Sequence, residues 1–181
     1  MTATHVALVR GINVGGKNPV PMARLREVLT AQGFADVRTY IQSGNILLGA
    51  PGRAEEAVNE AVEAALREHF SVETVVVTLS ADALRAVVAE APADFGGDDA
   101  AYRCDVIFFR PGIVPAEVLP RVRRREGVDE AWSGSRALYF RRLEARRTAS
   151  QLNRVLEMPE YKDMTIRNWR TTRTLEAMLD A

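Results

Sequence analysis

The same order of elements is written twice along this chain, and that duplication restricts the fold more than any other feature. An apolar run, His5-Val6-Ala7-Leu8-Val9, ends at Arg10, and a second, Asp105-Val106-Ile107-Phe108-Phe109, ends at Arg110. Both read as buried strands. Behind the first, Pro21 opens a helix at the position where its missing N–H costs nothing. Met22, Leu25, Val28 and Leu29 give that helix one apolar stripe, and Gly33 ends it. Val37, Thr39 and Ile41 alternate with polar residues, which is the strand period. Gly44-Asn45 is expected as a two-residue hairpin loop, with Ile46-Leu47-Leu48 returning. Ala54 to Leu66 carries a second amphipathic helix and Val75-Val76-Val77 a fourth strand. Ser80 is placed to cap a helix bearing Leu84, Val87 and Val88.

The second copy follows a stretch rich in turn residues, with Pro92, Gly96, Gly97, Asp98 and Asp99. A helix is expected from Pro115 to Arg125. Ser133-Gly134-Ser135 matches Ser43-Gly44-Asn45, and Leu138-Tyr139-Phe140 is the return strand. Thr148 and Gln151 have capping-box spacing before a helix carrying Leu152, Val155 and Leu156. Met164 to Trp169 is the fourth strand, and Thr171 or Thr172 caps a last helix with Leu175, Met178 and Leu179 facing inward. The fold class expected is α+β: two tandem ferredoxin-like subdomains, each βαββαβ plus a trailing helix, forming one compact protein. The boundaries are 1–91 for the first, 92–102 for a linker and 103–181 for the second.

The two copies differ in length at one place. Arg10 and Arg110 are 100 positions apart, Gly44 and Gly134 only 90. The first copy therefore has extra residues between its first strand and its hairpin, and most fall in Gly11-Ile12-Asn13-Val14-Gly15-Gly16-Lys17-Asn18-Pro19. A long loop in a compact connection is more often functional than a short one.

Gly11 to Lys17 has the letters of a phosphate-binding G-x-x-x-x-G-K loop and follows a strand. Asn18 stands where magnesium-dependent nucleotide binding needs Ser or Thr, and Pro19 keeps a helix from starting at the lysine. The looser reading is an anion nest: glycine N–H groups with Lys17 as a point charge. In a ferredoxin-like unit the first two strands run parallel, so Arg10, Gly11, Asn13, Gly15, Gly16 and Lys17 lie at the same end as Gln42, Ser43 and Asn45. That group offers cations, amides and a hydroxyl without a carboxylate, which suits phosphate better than acid–base chemistry.

The strings LVRGINVGGKNPVPM, LREVLTAQGF, VRTYIQSGNI and MTIRNWRT resemble the family known as domain of unknown function 1697. The likeness spans nearly the whole chain. It implies a bacterial cytoplasmic protein with two ferredoxin-like subdomains, and it implies no activity.

A second candidate site is Arg167-Asn168-Trp169-Arg170-Thr171. Two arginines beside an indole and an amide can grip phosphate and stack on a base. As a strand, the segment would put Arg167 and Trp169 on one face.

Charge adds a second reading. The chain is formally neutral, but residues 1–100 carry 8 basic and 13 acidic side chains, and residues 101–181 carry 16 and 11. The basic half could face nucleic acid, or answer the acidic half across an interface. Phe108, Phe109, Tyr139 and Phe140 sit where RNA-recognition modules carry stacking aromatics, although core packing is the simpler use of them. The cluster Arg121, Arg123, Arg124 and Arg125 complements a helix end.

Several classes fall away. No apolar run is long enough to span a bilayer. The start, Met-Thr-Ala-Thr-His, lacks the pattern of a secretory signal, so a cytoplasmic location is expected. One cysteine, Cys104, makes no internal disulfide, and His5, His69 and Cys104 have no metal-ligand or nucleophile spacing. No cofactor is named by the residues, and no acid–base pair, so a reaction is left open. The expectation is binding of a phosphate-bearing small ligand of nucleotide-like chemistry at the glycine loop. The alternative is single-stranded nucleic-acid binding by the basic half.

Overall fold

The computed structural model describes residues 3–181. They divide into two compact units, one running to Leu84 and including Thr174–Ala181, the other Arg85–Arg173. The chain's last eight residues thus count with the first unit, whereas the residue pattern alone groups them with the second.

The first unit holds β1 (His5–Val9), α1 (Met22–Ala31), β2 (Ala35–Tyr40), β3 (Asn45–Gly49), α2 (Glu55–Phe70) and β4 (Val76–Ser80), with α3 (Ala81–Ala89) following. Its sheet has the order β2-β3-β1-β4 with every neighbouring pair antiparallel. Both β1 and β2 therefore oppose β3 and run the same way, so their C-terminal ends coincide. Ala7, Val9, Ile46, Leu48 and Val76 form one face and pack with Leu25, Val28 and Leu29 of α1 and Val58, Val62 and Leu66 of α2. The alternate residues Val6, Leu8, Leu47, Val77 and Leu79 are equally buried. A strand buried on both faces reads as an unbroken apolar run, which is why His5–Val9 shows no alternation.

Local signals set the joints. Gly33 at φ +88° ends α1 as expected. Ser80 Oγ accepts the Ala83 N–H at 3.2 Å and caps α3. The expected two-residue hairpin at Gly44-Asn45 is instead a four-residue turn, 41–44. Asn45 is already in β3, paired with Tyr40, and its buried side-chain amide donates to the Tyr40 carbonyl at 3.1 Å.

The second unit holds β5 (Tyr102–Phe109), α4 (Pro115–Val118), β6 (Asp129–Ser133), β7 (Ala137–Leu143), β8 (Met164–Asn168) and the start of α5 (Trp169–Ala177). Its sheet order, β6-β7-β5-β8, repeats that of the first, again antiparallel throughout. Ile107, Phe109, Leu138, Phe140 and Met164 make one core with Val118, Val122, Leu152 and Val155. On the other face Tyr139 donates to the Val87 carbonyl at 2.6 Å. Phe95 stands edge-on there to Trp132, Tyr139 and Trp169.

Three helical expectations are corrected in this unit. The helix from Pro115 stops at Val118 and continues only as a 3-10 turn to Arg121, because Pro120 has no N–H to donate. Between β7 and β8, the helix expected after Thr148 and Gln151 is a run of 3-10 turns at Glu144–Ala149, Leu152–Glu157 and Pro159–Asp163. Pro159 cuts the Leu152 segment to less than two helical turns, too short to be stable as an α-helix by itself. Thr171 and Thr172 do not cap α5: the Thr171 N–H donates to Asn168 Oδ1 at 2.7 Å, so Asn168 is the cap. Trp169 is the first helical residue rather than the end of a strand.

Candidate functional site

The loop between β1 and α1 spans residues 10–21, against 110–114 in the second unit. It is folded on itself as a small hairpin. Val14 and Lys17 form a β-bridge, with the Lys17 N–H donating to the Val14 carbonyl at 3.0 Å. Gly15 and Gly16 have φ +57° and +73°, the positive pair that a type I′ turn requires. Outside the bridge the Asn13 N–H donates to the Asn18 carbonyl at 3.1 Å, and Asn18 Nδ2 donates to the Gly11 carbonyl at 3.1 Å. Ile12 and Val20 are buried in the core on either side, while 14–19 are exposed.

One side chain fixes this hairpin to its surroundings. Asn13 Nδ2 donates to the carbonyls of Val20 and Gln42, both at 2.9 Å, and Asn13 Oδ1 accepts the Val20 N–H at 2.7 Å. The glycine loop and the 41–44 turn are thereby held side by side. The Val9 N–H donates to the Gly44 carbonyl at 2.8 Å and closes the same seam. Gly44, at φ +78°, leaves no room for a side chain: a Cβ would lie 2.8 Å from Val9 Cβ and 3.0 Å from the Val9 carbonyl oxygen. Ile41 takes φ +49° with half its surface exposed. A β-branched residue in that region is strained, and such strain concentrates at functional sites.

The residues expected at this end divide by job. Asn13 and Asn45 spend their side-chain amides on backbone carbonyls, and Asn45 Nδ2 also donates to Ser43 Oγ at 3.1 Å. Arg10 is half-buried, its N–H donating to the Val75 carbonyl and its own carbonyl accepting from Thr74 Oγ1. Lys17 and Gln42 are exposed. Neither their side chains nor the N–H groups of Gly15 and Gly16 bond to any described residue. The polar groups available here are all donors or amides.

The second candidate segment belongs to the second unit. Arg167 donates through one guanidinium nitrogen to Thr165 Oγ1 at 2.9 Å and to the Ile166 carbonyl at 2.8 Å. Burial lowers its pKa to about 10, so it is still cationic at neutral pH. Asn168 is the helix cap, and Trp169 is nearly buried, edge-on to Phe95 with ring centroids 5.2 Å apart. A cleft of about 460 Å³ opens beside it, lined by Gly96, Asp99, Trp169, Arg170 and Arg173. Nothing in the residue pattern marks Gly96 and Asp99 as its neighbours, since at least seventy positions separate them from Trp169, whereas Arg173 lies one helical turn beyond it.

The aromatic motif is structural. Phe108, Phe109, Tyr139 and Phe140 are each at most 2% exposed, so none offers a stacking face. Arg121 pairs with Glu160, while Arg123, Arg124 and Arg125 are exposed. Cys104 is buried, and desolvation pushes its thiol above the ordinary range, which makes it a poor nucleophile. Among the described residues no three His, Cys, Asp or Glu gather as a metal set, and no helix is long and apolar enough to cross a membrane.

No curated protein matches the chain. Among solved structures it is similar to the conserved bacterial protein SP0830 from Streptococcus pneumoniae, with 30% identity, 99% of each chain covered and a TM-score of 0.83. Residues 1–139 match the family model described as protein of unknown function, DUF1697. The chain belongs to that family.

Proposed function

We propose, for this member of DUF1697, that the glycine-loop end of the first unit binds a phosphate-bearing small ligand of nucleotide-like chemistry. The observation that carries the reading is the Asn13 clamp, which presents the Lys17 hairpin and the 41–44 turn as one surface. The Lys17 ammonium, the Gln42 amide and the Gly15 and Gly16 N–H groups are unspent donors on that surface, and such donors suit an oxyanion. Asn13 and Asn45 serve as positioning residues, while Arg10, Gly11 and Ser43 complete the rim. In the same reading each unit is a ferredoxin-like module, supported by the antiparallel order with the first strand central, and the protein works in the cytoplasm.

A thermal-shift panel of phosphorylated metabolites, nucleotides and short RNA, at low and at moderate salt, tests this. Ligand at about 100 times its dissociation constant adds about 2.7 kcal/mol, roughly 5–11 °C for a chain of this size. A shift with a small phosphorylated compound that survives moderate salt is the expected result. A shift with RNA alone, lost as salt rises, would transfer the function to nucleic-acid binding by the exposed arginines of the second half.

A further inference from the structure

The cleft at the start of α5 contains a polar group that the fold leaves unused. Trp169 is 9% exposed, yet its indole N–H has no hydrogen-bond partner among the described residues. That nitrogen keeps solvent access and is not sealed in the core. Its place is tightly set: a Cβ on Gly96 would lie 2.5 Å from Trp169 Nε1 and 2.0 Å from Cδ1. Gly96 is therefore the floor that lets the polar edge of the ring line the cleft. The Arg173 guanidinium lies over the same ring, 5.8 Å from its centroid, and makes no ion pair with any described residue. Arg170 is the second cation of the lining, and Asp99 is exposed on it without an ion-pair partner.

We propose that this cleft binds a small zwitterion, an oxyanion head held by Arg173, Arg170 and the Trp169 indole N–H, with an ammonium group facing Asp99. Two guanidinium groups and an indole are donors only, so the group they meet is an acceptor, and the arginine fork matches carboxylate or phosphate oxygens. Asp99 repels a bare anion and attracts a ligand that carries its own cation. The volume, about 460 Å³, holds an amino acid or an amino-phosphate. This site lies wholly within the second unit and shares no residue with the glycine loop, so its test is read independently.

The test is a titration of the isotope-labelled protein followed at the indole N–H signal of Trp169. The chain has two tryptophans, and Trp132→Phe assigns the signals. The probes are inorganic phosphate and phosphoethanolamine, with acetate and glycine as their carboxylate counterparts. The expected result is a saturable shift of the Trp169 signal, with the ammonium-bearing member of one pair binding about tenfold tighter than its bare partner. Which pair binds decides between phosphate and carboxylate. Asp99→Asn is expected to erase the preference within that pair, and Arg173→Gln to weaken binding roughly tenfold without altering the dispersed spectrum of a folded protein. No saturable shift with any of the four probes would overturn the proposal. Equal affinity in Arg173→Gln would overturn it as well.

Discussion

The side-chain amide of Asn13 donates to the main-chain carbonyl of Gln42 at 2.9 Å, joining two turns that are 29 residues apart in the chain. Asn13 itself takes φ +54°, a conformation asparagine tolerates better than most residues. Replacing it by alanine removes three hydrogen bonds and keeps the strained backbone. We expect Asn13→Ala to lower stability by about 1–3 kcal/mol in urea denaturation. A change near zero would mean that the two turns hold their places without it.

Glycines at this end differ in what they permit. A Cβ on Gly44 meets Val9 Cβ and the Val9 backbone, whereas one on Gly15 meets nothing within 4 Å. Both have positive φ. Gly15→Ala should cost only the backbone term, about 1 kcal/mol. Gly44→Ala adds overpacking, typically another 1–3 kcal/mol. Equal melting temperatures for the two variants would contradict the seam described for Val9 and Gly44.

Helix α5 starts on Asn168. Asn168→Ala should cost about 1 kcal/mol and Asn168→Asp little, because aspartate accepts the Thr171 N–H equally well. Chemical denaturation of both variants checks the order. Loss of stability only in the aspartate variant would refute the cap.

His5 is buried, and desolvation lowers its pKa from the ordinary 6.5, with Glu55 acting in the opposite sense. The unfolded chain then binds a proton at a pH where the folded one does not. Stability contributed by neutral His5 is complete above about pH 6.5 and is lost as pH falls from there through the folded-state pKa. Denaturation midpoints between pH 7.5 and 5.5 should fall more steeply in the parent than in His5→Gln. Parallel profiles would show that His5 does not carry the dependence.

Much of this was legible in the residues. Unbroken apolar runs marked β1 and β5, the stripe through Leu25 and Leu29 marked α1, and Ser80 marked the start of α3. The loop's extra length marked its importance, but its internal hairpin depends on Asn13 pairing with Val20 and Gln42, contacts that no local pattern encodes. Asn168 was readable in principle, since asparagine outranks threonine as a cap. It was obscured because the strand-like run Met164 to Trp169 continues through it. The shortened helices follow from Pro120 and Pro159, whose effect outweighed the capping-box spacing at Thr148 and Gln151. The Gly96–Trp169 contact joins residues far apart in the chain, so only the folded sheet brings them together.

The central claim is tested most directly by calorimetric titration of a mononucleotide into the parent protein and Lys17→Ala, with folding of the variant checked by its melting curve. Lys17 is exposed and bonds to no described residue through its side chain, so the variant should melt with the parent. The account predicts measurable binding to the parent and a dissociation constant about tenfold higher in the variant, the loss of one charge-assisted contact. Equal affinity in the two proteins, or no binding to the parent, would contradict it.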